Sequence, residues 1–185
     1  MDGPDKPGHD DNKCRDDIHI FPGTCYPPRM NATHDITLTF RPVGTSDRGL
    51  LEELVRAYYD FDDHEYEPGL HGPALDAICA GDPNVRAWII EDGEAVAGYL
   101  ILTIGFSMQY GGRDGFLDEL FLKDAYRGKG LGRQVMAFLE TQVKRLDFHY
   151  LHLEVVKANE RARRLYESLG WEETGCLLMS RRLVE

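Results

Sequence analysis

The sequence has no long apolar run. Nowhere in its 185 residues does a hydrophobic stretch approach the roughly 18 to 20 residues that a membrane-spanning helix needs. The opening tract MDGPDKPGHDDNKCRDD lacks the apolar core of a secretory signal and holds too many acids for a transit peptide. These absences predict a soluble, cytoplasmic protein with no membrane partner.

Cysteine is scarce and has no pattern. The four cysteines, Cys14, Cys25, Cys79 and Cys176, show no C-x-x-C spacing, so the sequence indicates neither a zinc knuckle nor a disulfide framework. We expect reduced thiols, with Cys79 and Cys176 packed in the core. We also expect no metal site, because the acidic run DFDDHE at 60–65 is typical of a solvated face.

Basic residues are fewer than acidic residues. Lys and Arg number 21 against 32 Asp and Glu, which gives a net charge of -11. Such a field repels nucleic-acid phosphates and attracts cations. We therefore expect a cationic partner and no nucleic acid, although a simple gain in solubility also explains an acidic composition.

The first 34 residues lack periodic apolar positions. They are rich in Pro, Gly and Asp, a composition that does not bury enough apolar surface to order a chain. We predict a disordered extension at 1–34, followed by one globular domain at 35–185. The tract DGPDKPGHDD is similar to peptides made when a bacterial intergenic repeat is translated. We therefore expect Met30 to be the true initiator, and peptide mapping that recovers residues 2–29 from native protein would contradict this.

From residue 36 onward the chain has the periodicities of regular structure. Alternation predicts a strand at 36–43, and Ser46 or Asp47 is expected to cap the helix that follows. The later elements that we predict are a short helix at 73–80, two strands joined at Asp92-Gly93, a strand at 116–122, a helix at 131–146, a strand at 150–156, a helix between Asn159 and Gly170, and one or two strands within 171–184. This order indicates an α+β fold with a mixed central sheet.

A glycine-rich basic turn, RGKGLG at 127–132, lies between a predicted strand and a predicted helix. Free backbone N–H groups and the helix dipole make such a place suitable for an anion. Glycine lets the backbone approach a phosphate closely, and Arg127, Lys129 and Arg133 add positive charge. There is no GxxxxGK[ST] motif and no third glycine of the dinucleotide fingerprint, so the turn suits a pyrophosphate without matching those two motifs.

Two motifs resemble those of the GNAT superfamily, the Gcn5-related N-acetyltransferases. The family's acetyl-CoA motif, Arg/Gln-x-x-Gly-x-Gly/Ala after a strand, matches Arg127-x-x-Gly130-x-Gly132. The second motif is a strand, then Asn, then a helix ending Leu-Tyr-x-x-x-Gly-Phe/Trp, and it matches residues 151–171. The resemblance covers residues 36–184 and implies the GNAT fold, a mixed, mostly antiparallel sheet flanked by helices. It also implies acetyl-CoA as cosubstrate, and homodimers are common in the family.

The resemblance implies a set of cofactor-binding residues. The backbone of Leu120, Phe121 and Leu122 would pair with the pantetheine arm, and Asn159 would hydrogen-bond near it. The turn would hold the pyrophosphate through Arg127, Gly128, Lys129, Gly130, Leu131 and Gly132. Tyr166 would lie beside the thioester sulfur. One departure is Asp124, where many relatives have proline.

Acetyl transfer to an amine requires a base, because a primary amine is mostly protonated near pH 7. A carboxylate in an apolar strand suits this role, since desolvation raises its pKa. We favour Glu119, and Glu154 and then Asp118 are the alternatives. Strand alternation places Asp118 and Glu119 on opposite faces unless a bulge intervenes. Tyr166 is the expected general acid for the leaving thiolate. We interpret His149 and His152 as structural.

We therefore predict an N-acetyltransferase that moves acetyl from acetyl-CoA to a primary amine by direct attack in a ternary complex. The acceptor is expected to be a small cationic amine or a lysine side chain, attracted by the acidic residues Asp60, Asp62, Asp63, Glu65 and Glu67. The loop at 110–114 is expected to line the entrance. The alternative is a non-catalytic acyl-CoA-binding regulatory module of the same fold. A third reading, a nucleic-acid-directed enzyme, is disfavoured by the acidic composition.

Overall fold

The structure, a computed structural model, describes residues 36–183. The predicted extension at 1–34 and the Met30 hypothesis fall outside the described residues. Five strands and four α-helices are described: β1 (Thr39–Pro42), α1 (Arg48–Phe61), α2 (Pro68–Ala80), β2 (Val85–Asp92), β3 (Ala95–Ser107), β4 (Gly112–Leu122), α3 (Leu131–Arg145), β5 (Tyr150–Leu153) and α4 (Glu160–Ser168). Short 3-10 turns at Thr45–Asp47 and Asp124–Tyr126 precede α1 and α3.

The strands form one sheet in the order β1-β2-β3-β4-β5. Strands β1 to β4 pair antiparallel in sequence, while β4 and β5 pair parallel. A parallel pair needs a long crossover, and α3 supplies it. The predicted α+β class, with a mixed and mostly antiparallel sheet flanked by helices, is confirmed.

Both faces of the sheet are covered by helices, and strand alternation decides which residue meets which helix. Leu100 and Leu102 of β3 pack toward α3, where the apolar stripe includes Val135 and Leu139. Tyr99, on the same strand, faces α1 and α2 in a second cluster. In the described part of the chain no helix is long and apolar enough to cross a membrane.

Two predicted boundaries are wrong. Helix α2 begins at Pro68, five positions before Pro73, because proline fits the first helical position. Pro73 therefore lies inside the helix, and Gly81 ends it in the left-handed conformation with φ 85°. Strand β4 begins at Gly112, so most of the segment predicted as a loop at 110–114 pairs with β3 instead. Tyr110 packs on Tyr150 with ring centroids 4.4 Å apart.

Three further predictions fail. No strand forms within residues 171–183 of the described chain, because a short apolar run such as 177–179 does not by itself provide a pairing partner. Cys79 is buried as expected, but Cys176 is exposed in that segment. Asp47 occupies the predicted N-cap position of α1, but its side chain makes no capping hydrogen bond there. Its carboxylate accepts instead from the Gly44 N–H at 2.9 Å and from Arg41 at 2.8 Å.

Candidate active site

A cleft opens where β4 and β5 separate. Their parallel pairing ends at Leu117 and Leu153, although β4 continues to Leu122. A cavity of about 380 Å³ lies between β4, the segment after β5, and α4. The last turn of α1 and the glycine-rich turn bound the same cavity. The unpaired edge of β4 therefore faces a space into which an extended ligand fits.

A β-bulge lies at the start of this divergence. Leu102 of β3 pairs with Leu117, while the preceding Ile101 pairs with Glu119. Asp118 is therefore the extra residue of β4, and the bulge breaks the simple alternation on which opposite faces depend. Asp118 lines the cavity. Glu119 returns to the ladder and lies against the cluster under α1 and α2.

Glu119 is held by tyrosines. The Tyr99 hydroxyl donates to its Oε2 at 2.6 Å, and Tyr59 also interacts with this carboxylate. Burial raises the pKa of Glu119, while the Tyr99 and Tyr59 hydrogen bonds act in the opposite direction and the charge of Asp118 adds to the rise. The arrangement favours a carboxylate that takes up a proton more readily than an exposed glutamate.

Asp118 lies in a more open place than Glu119. Its side chain is exposed in the cleft, yet the surrounding walls desolvate it enough to raise its pKa. Burial, with the charges of Asp62, Glu119 and Asp118, raises the pKa of Tyr58 to about 12. At neutral pH the Tyr58 hydroxyl therefore remains protonated near these three carboxylates.

The glycine-rich turn has the conformation that its glycines allow. Gly128 and Gly130 adopt φ values of 83° and 76°, a region that residues with a Cβ rarely occupy. Helix α3 starts immediately afterwards, so its first N–H groups lie at the cavity edge without intrahelical acceptors. Arg133 and Arg161 line the same end of the cavity. This cradle suits a phosphate group.

The other predicted cofactor residues divide into two groups. Leu120, Leu122, Leu131 and Gly132 line the cavity together with the turn. Phe121 is buried in the cluster under α1 and α2, and Lys129 is exposed. Neither of these two lines the cavity. The Arg127 side chain points back along the strand, where its Nε donates to the Leu122 carbonyl at 2.6 Å.

Helix α4 contributes Asn159 and Tyr166 to the cavity wall. The Asn159 side chain accepts from the Ala162 N–H at 3.1 Å, so it is the predicted helix cap. Tyr166 packs on Trp171, with ring centroids 5.9 Å apart. Burial raises the pKa of Tyr166, which keeps its phenol protonated and able to donate.

The remaining candidate groups are less enclosed or lie elsewhere. Glu154 lines the cavity but is exposed just beyond β5. His149 and His152 lie outside this cavity, where His152 Nε2 is 3.6 Å from Asp114. Of the acidic residues expected to attract an acceptor, Asp62 reaches the cavity. Within residues 36–183 no group of three or more His, Cys, Asp and Glu side chains is arranged to hold a metal ion.

Sequence reasoning missed five residues of the site: Tyr58, Phe61 and Arg161 in the cavity wall, and Tyr59 and Tyr99 around Glu119. The contacts of Tyr99 and Phe61 join elements distant in sequence, and no local signal indicates them. The adjacent pair Tyr58-Tyr59 ahead of an acidic run was the available signal for α1.

The chain belongs to the acetyltransferase (GNAT) family, whose model matches residues 49–171. Members of this family use acetyl-CoA as the acetyl donor. The family therefore supports acetyl-CoA as the cosubstrate, as the sequence predicts.

Two curated relatives match part of the chain. An uncharacterized N-acetyltransferase of Bacillus subtilis (strain 168), YycN, is 30% identical over 102 residues, which is 55% of this chain and 64% of the relative. A thialysine N-epsilon-acetyltransferase of Bos taurus is 30% identical over 81 residues, or 44% of this chain and 47% of the relative. The chain thus spans less than two thirds of the length of either relative.

Solved structures show the same fold. An integron cassette protein from the mobile metagenome of Cole Harbour Salt Marsh has a TM-score of 0.68 at 29% identity, covering 79% of this chain and 91% of that one. The aminoglycoside N-acetyltransferase AAC(6')-Iy, solved with CoA, has a TM-score of 0.66 at 15% identity, covering 80% and 96%. The second likeness supports the fold alone.

Proposed function

We propose that this protein transfers acetyl from acetyl-CoA to a primary amine by direct attack in a ternary complex. One observation carries the proposal: a single cavity runs from a phosphate-binding turn, past the free edge of β4, to Asp118 and Tyr166. In that order a bound thioester would lie beside the Tyr166 phenol and the Asp118 carboxylate, with Glu119 at the next position of β4. No nucleophilic residue of the protein is required.

Glu119 is the proposed base. It takes a proton from the acceptor ammonium, and the neutral amine then attacks the thioester carbonyl. As the carbon–sulfur bond breaks, the Tyr166 phenol protonates the leaving thiolate, and the proton lost from the new amide nitrogen restores the phenol. The raised pKa of Glu119 supports its part, since burial favours its protonated form.

Asp118 and Asp62 are proposed to bind the acceptor, which we infer to be a small cationic amine or a lysine side chain. Both line the cavity on the side of α1, and Tyr58 lies beside them with its hydroxyl protonated. Carboxylates at the mouth of a partly desolvated cleft attract an ammonium more strongly than a neutral amine. Net acidity adds a longer-range attraction.

The test is release of free CoA from acetyl-CoA across polyamines, amino acids, aminoglycosides and lysine peptides. Turnover with one class identifies the acceptor. Glu119→Gln is then expected to reduce kcat about 100-fold or more, while Asp118→Asn mainly raises the acceptor KM. Full turnover by correctly folded Tyr166→Phe contradicts the acid assignment. Tight acetyl-CoA binding without turnover on any amine supports the non-catalytic binding module instead.

A further inference from the structure

Arg127 stacks on an aromatic residue from the other side of the cleft. Its guanidinium carbon lies 3.7 Å from the ring centroid of Phe61, the last residue of α1. The same group is 5.0 Å from the ring of Phe121 on β4. At the first distance a guanidinium and a phenyl ring attract each other through a cation–π interaction. The contact joins α1 to the first residue of the glycine-rich turn.

The other bonds of Arg127 hold it in this position. Nε donates to the Leu122 carbonyl, the last residue of β4, at 2.6 Å. A terminal nitrogen forms an ion pair with Asp124 at 2.7 Å, but Asp124 is almost fully exposed, so that pair contributes little. The guanidinium is therefore directed toward the strand end and the Phe61 ring.

Phe61 is not needed for the core. Its side chain is 58% exposed, which is unusual for a ring with so well aligned a partner, and it lines the cavity with Tyr58 and Asp62. Gly128 and Gly130 follow Arg127 in the turn and give it little rigidity of its own. Something outside the turn must fix its position if its N–H groups are to meet a phosphate in one geometry.

We propose that Phe61 and Arg127 are positioning residues for acetyl-CoA, and that the stacked pair fixes the phosphate-binding turn against β4 and α1. This rests on the proposed function in one respect, that acetyl-CoA is the ligand of the cavity. Arg127 acts through the turn backbone rather than as a phosphate ligand, and Phe61 acts through Arg127. A turn fixed before binding loses less conformational entropy when the ligand arrives.

The experiment measures acetyl-CoA dissociation constants by titration calorimetry for the full chain. The variants are Phe61→Leu, Phe61→Trp, Arg127→Lys and the Phe61→Leu/Arg127→Lys double variant. Phe106→Leu is the matched control, because that phenylalanine is 76% exposed and lies at the far end of β3. Affinity for S-acetylpantetheine, which lacks the pyrophosphate, is measured in parallel by competition.

The strength of an exposed cation–π pair corresponds to a roughly two- to fivefold change in dissociation constant. We expect Phe61→Leu to weaken acetyl-CoA binding by that factor, and Phe61→Trp to retain the affinity. The double variant should bind no more weakly than Arg127→Lys alone, because Arg127→Lys already removes the planar guanidinium that stacks on the Phe61 ring. Affinity for S-acetylpantetheine should not change, and the unfolding temperature of the ligand-free variants should fall by no more than about 4 °C, the loss of one such contact.

The outcomes separate the two proposals. If the unaltered chain does not bind acetyl-CoA, the proposed function fails and the positioning role fails with it. If the chain binds but Phe61→Leu retains full affinity while Arg127→Lys loses it, Arg127 contacts the ligand directly and the positioning role is overturned alone. Additive losses in the double variant, or an equal loss for S-acetylpantetheine, also overturn it.

Discussion

Gly98→Ala tests the contact between β3 and the strand that carries the cleft. Gly98 pairs with Leu122, and a Cβ at this position would lie 2.9 Å from the carbonyl carbon of Phe121 and closer still to its oxygen. These are backbone atoms, so no side-chain rotation relieves the clash and β4 itself must move. Overpacking of this kind costs about 1 to 3 kcal/mol, and we expect the upper half of that range.

The matched control is Gly105→Ala on the same strand. There the added Cβ meets the Asp114 side chain, which can rotate away, so we expect a loss below about 1 kcal/mol. Each kcal/mol corresponds to about 2 to 4 °C in Tm for a chain of 150 to 250 residues. Thermal unfolding of both variants checks the difference, and acetyl-CoA titration should show a loss for Gly98→Ala alone. Without the clash, alanine in a strand would stabilise by about 0.5 to 1 kcal/mol. A Gly98→Ala variant at or above the unaltered Tm would therefore refute the reasoning.

Three other outcomes are expected. Burial raises the pKa of Glu119 in the folded protein above its value in the unfolded chain. At a pH below the unfolded-state pKa the carboxyl is protonated in both states and its burial does not destabilise the fold. As pH rises toward and past the folded-state pKa, the free energy of unfolding falls, because the charged form is disfavoured in the fold. Glu119→Gln should therefore gain Tm relative to the unaltered chain at pH 8 but not at pH 4, and an equal difference at both would contradict this. Leu139→Ala, at a fully buried site, should lose about 2 to 5 kcal/mol in urea unfolding. Asn159→Ala should lower the free energy of unfolding by about 1 kcal/mol in the same assay, because the α4 cap is lost. Asn159→Asp should retain most of the capping stability, because aspartate is also a good N-cap residue.

Local signals predicted the parts of the site that depend on local structure. The apolar stripe of α3 and the Asn159 cap each follow from residues within one or two turns. The turn and α4 both line the cavity, and the family motifs were recognisable because each consists of residues close together in sequence.

Local sequence patterns do not predict contacts between residues that are distant in sequence. The Tyr99 hydrogen bond to Glu119 joins strands that are 20 residues apart in sequence, and the Phe61 contact to Arg127 crosses the cleft. The strands predicted after Trp171 do not form for a related reason, because a short apolar run is a local feature and strand pairing depends on a partner segment. The early start of α2 was missed because Pro73 and Pro68 both satisfy the preference of a first turn.

The bulge at Asp118 gives two adjacent carboxylates different environments. In a regular strand Glu119 would lie on the same face as Leu117, in the core under α3, where an unpaired charge is costly. With one extra residue in β4, Asp118 leaves the ladder at the cavity surface, and Glu119 re-enters it under the Tyr99 hydroxyl. In the proposed mechanism the exposed Asp118 binds the ammonium, and the desolvated Glu119 accepts its proton. Separate environments are what allow neighbouring carboxylates to take separate roles, so binding and proton transfer should respond differently to Asp118→Asn and Glu119→Gln.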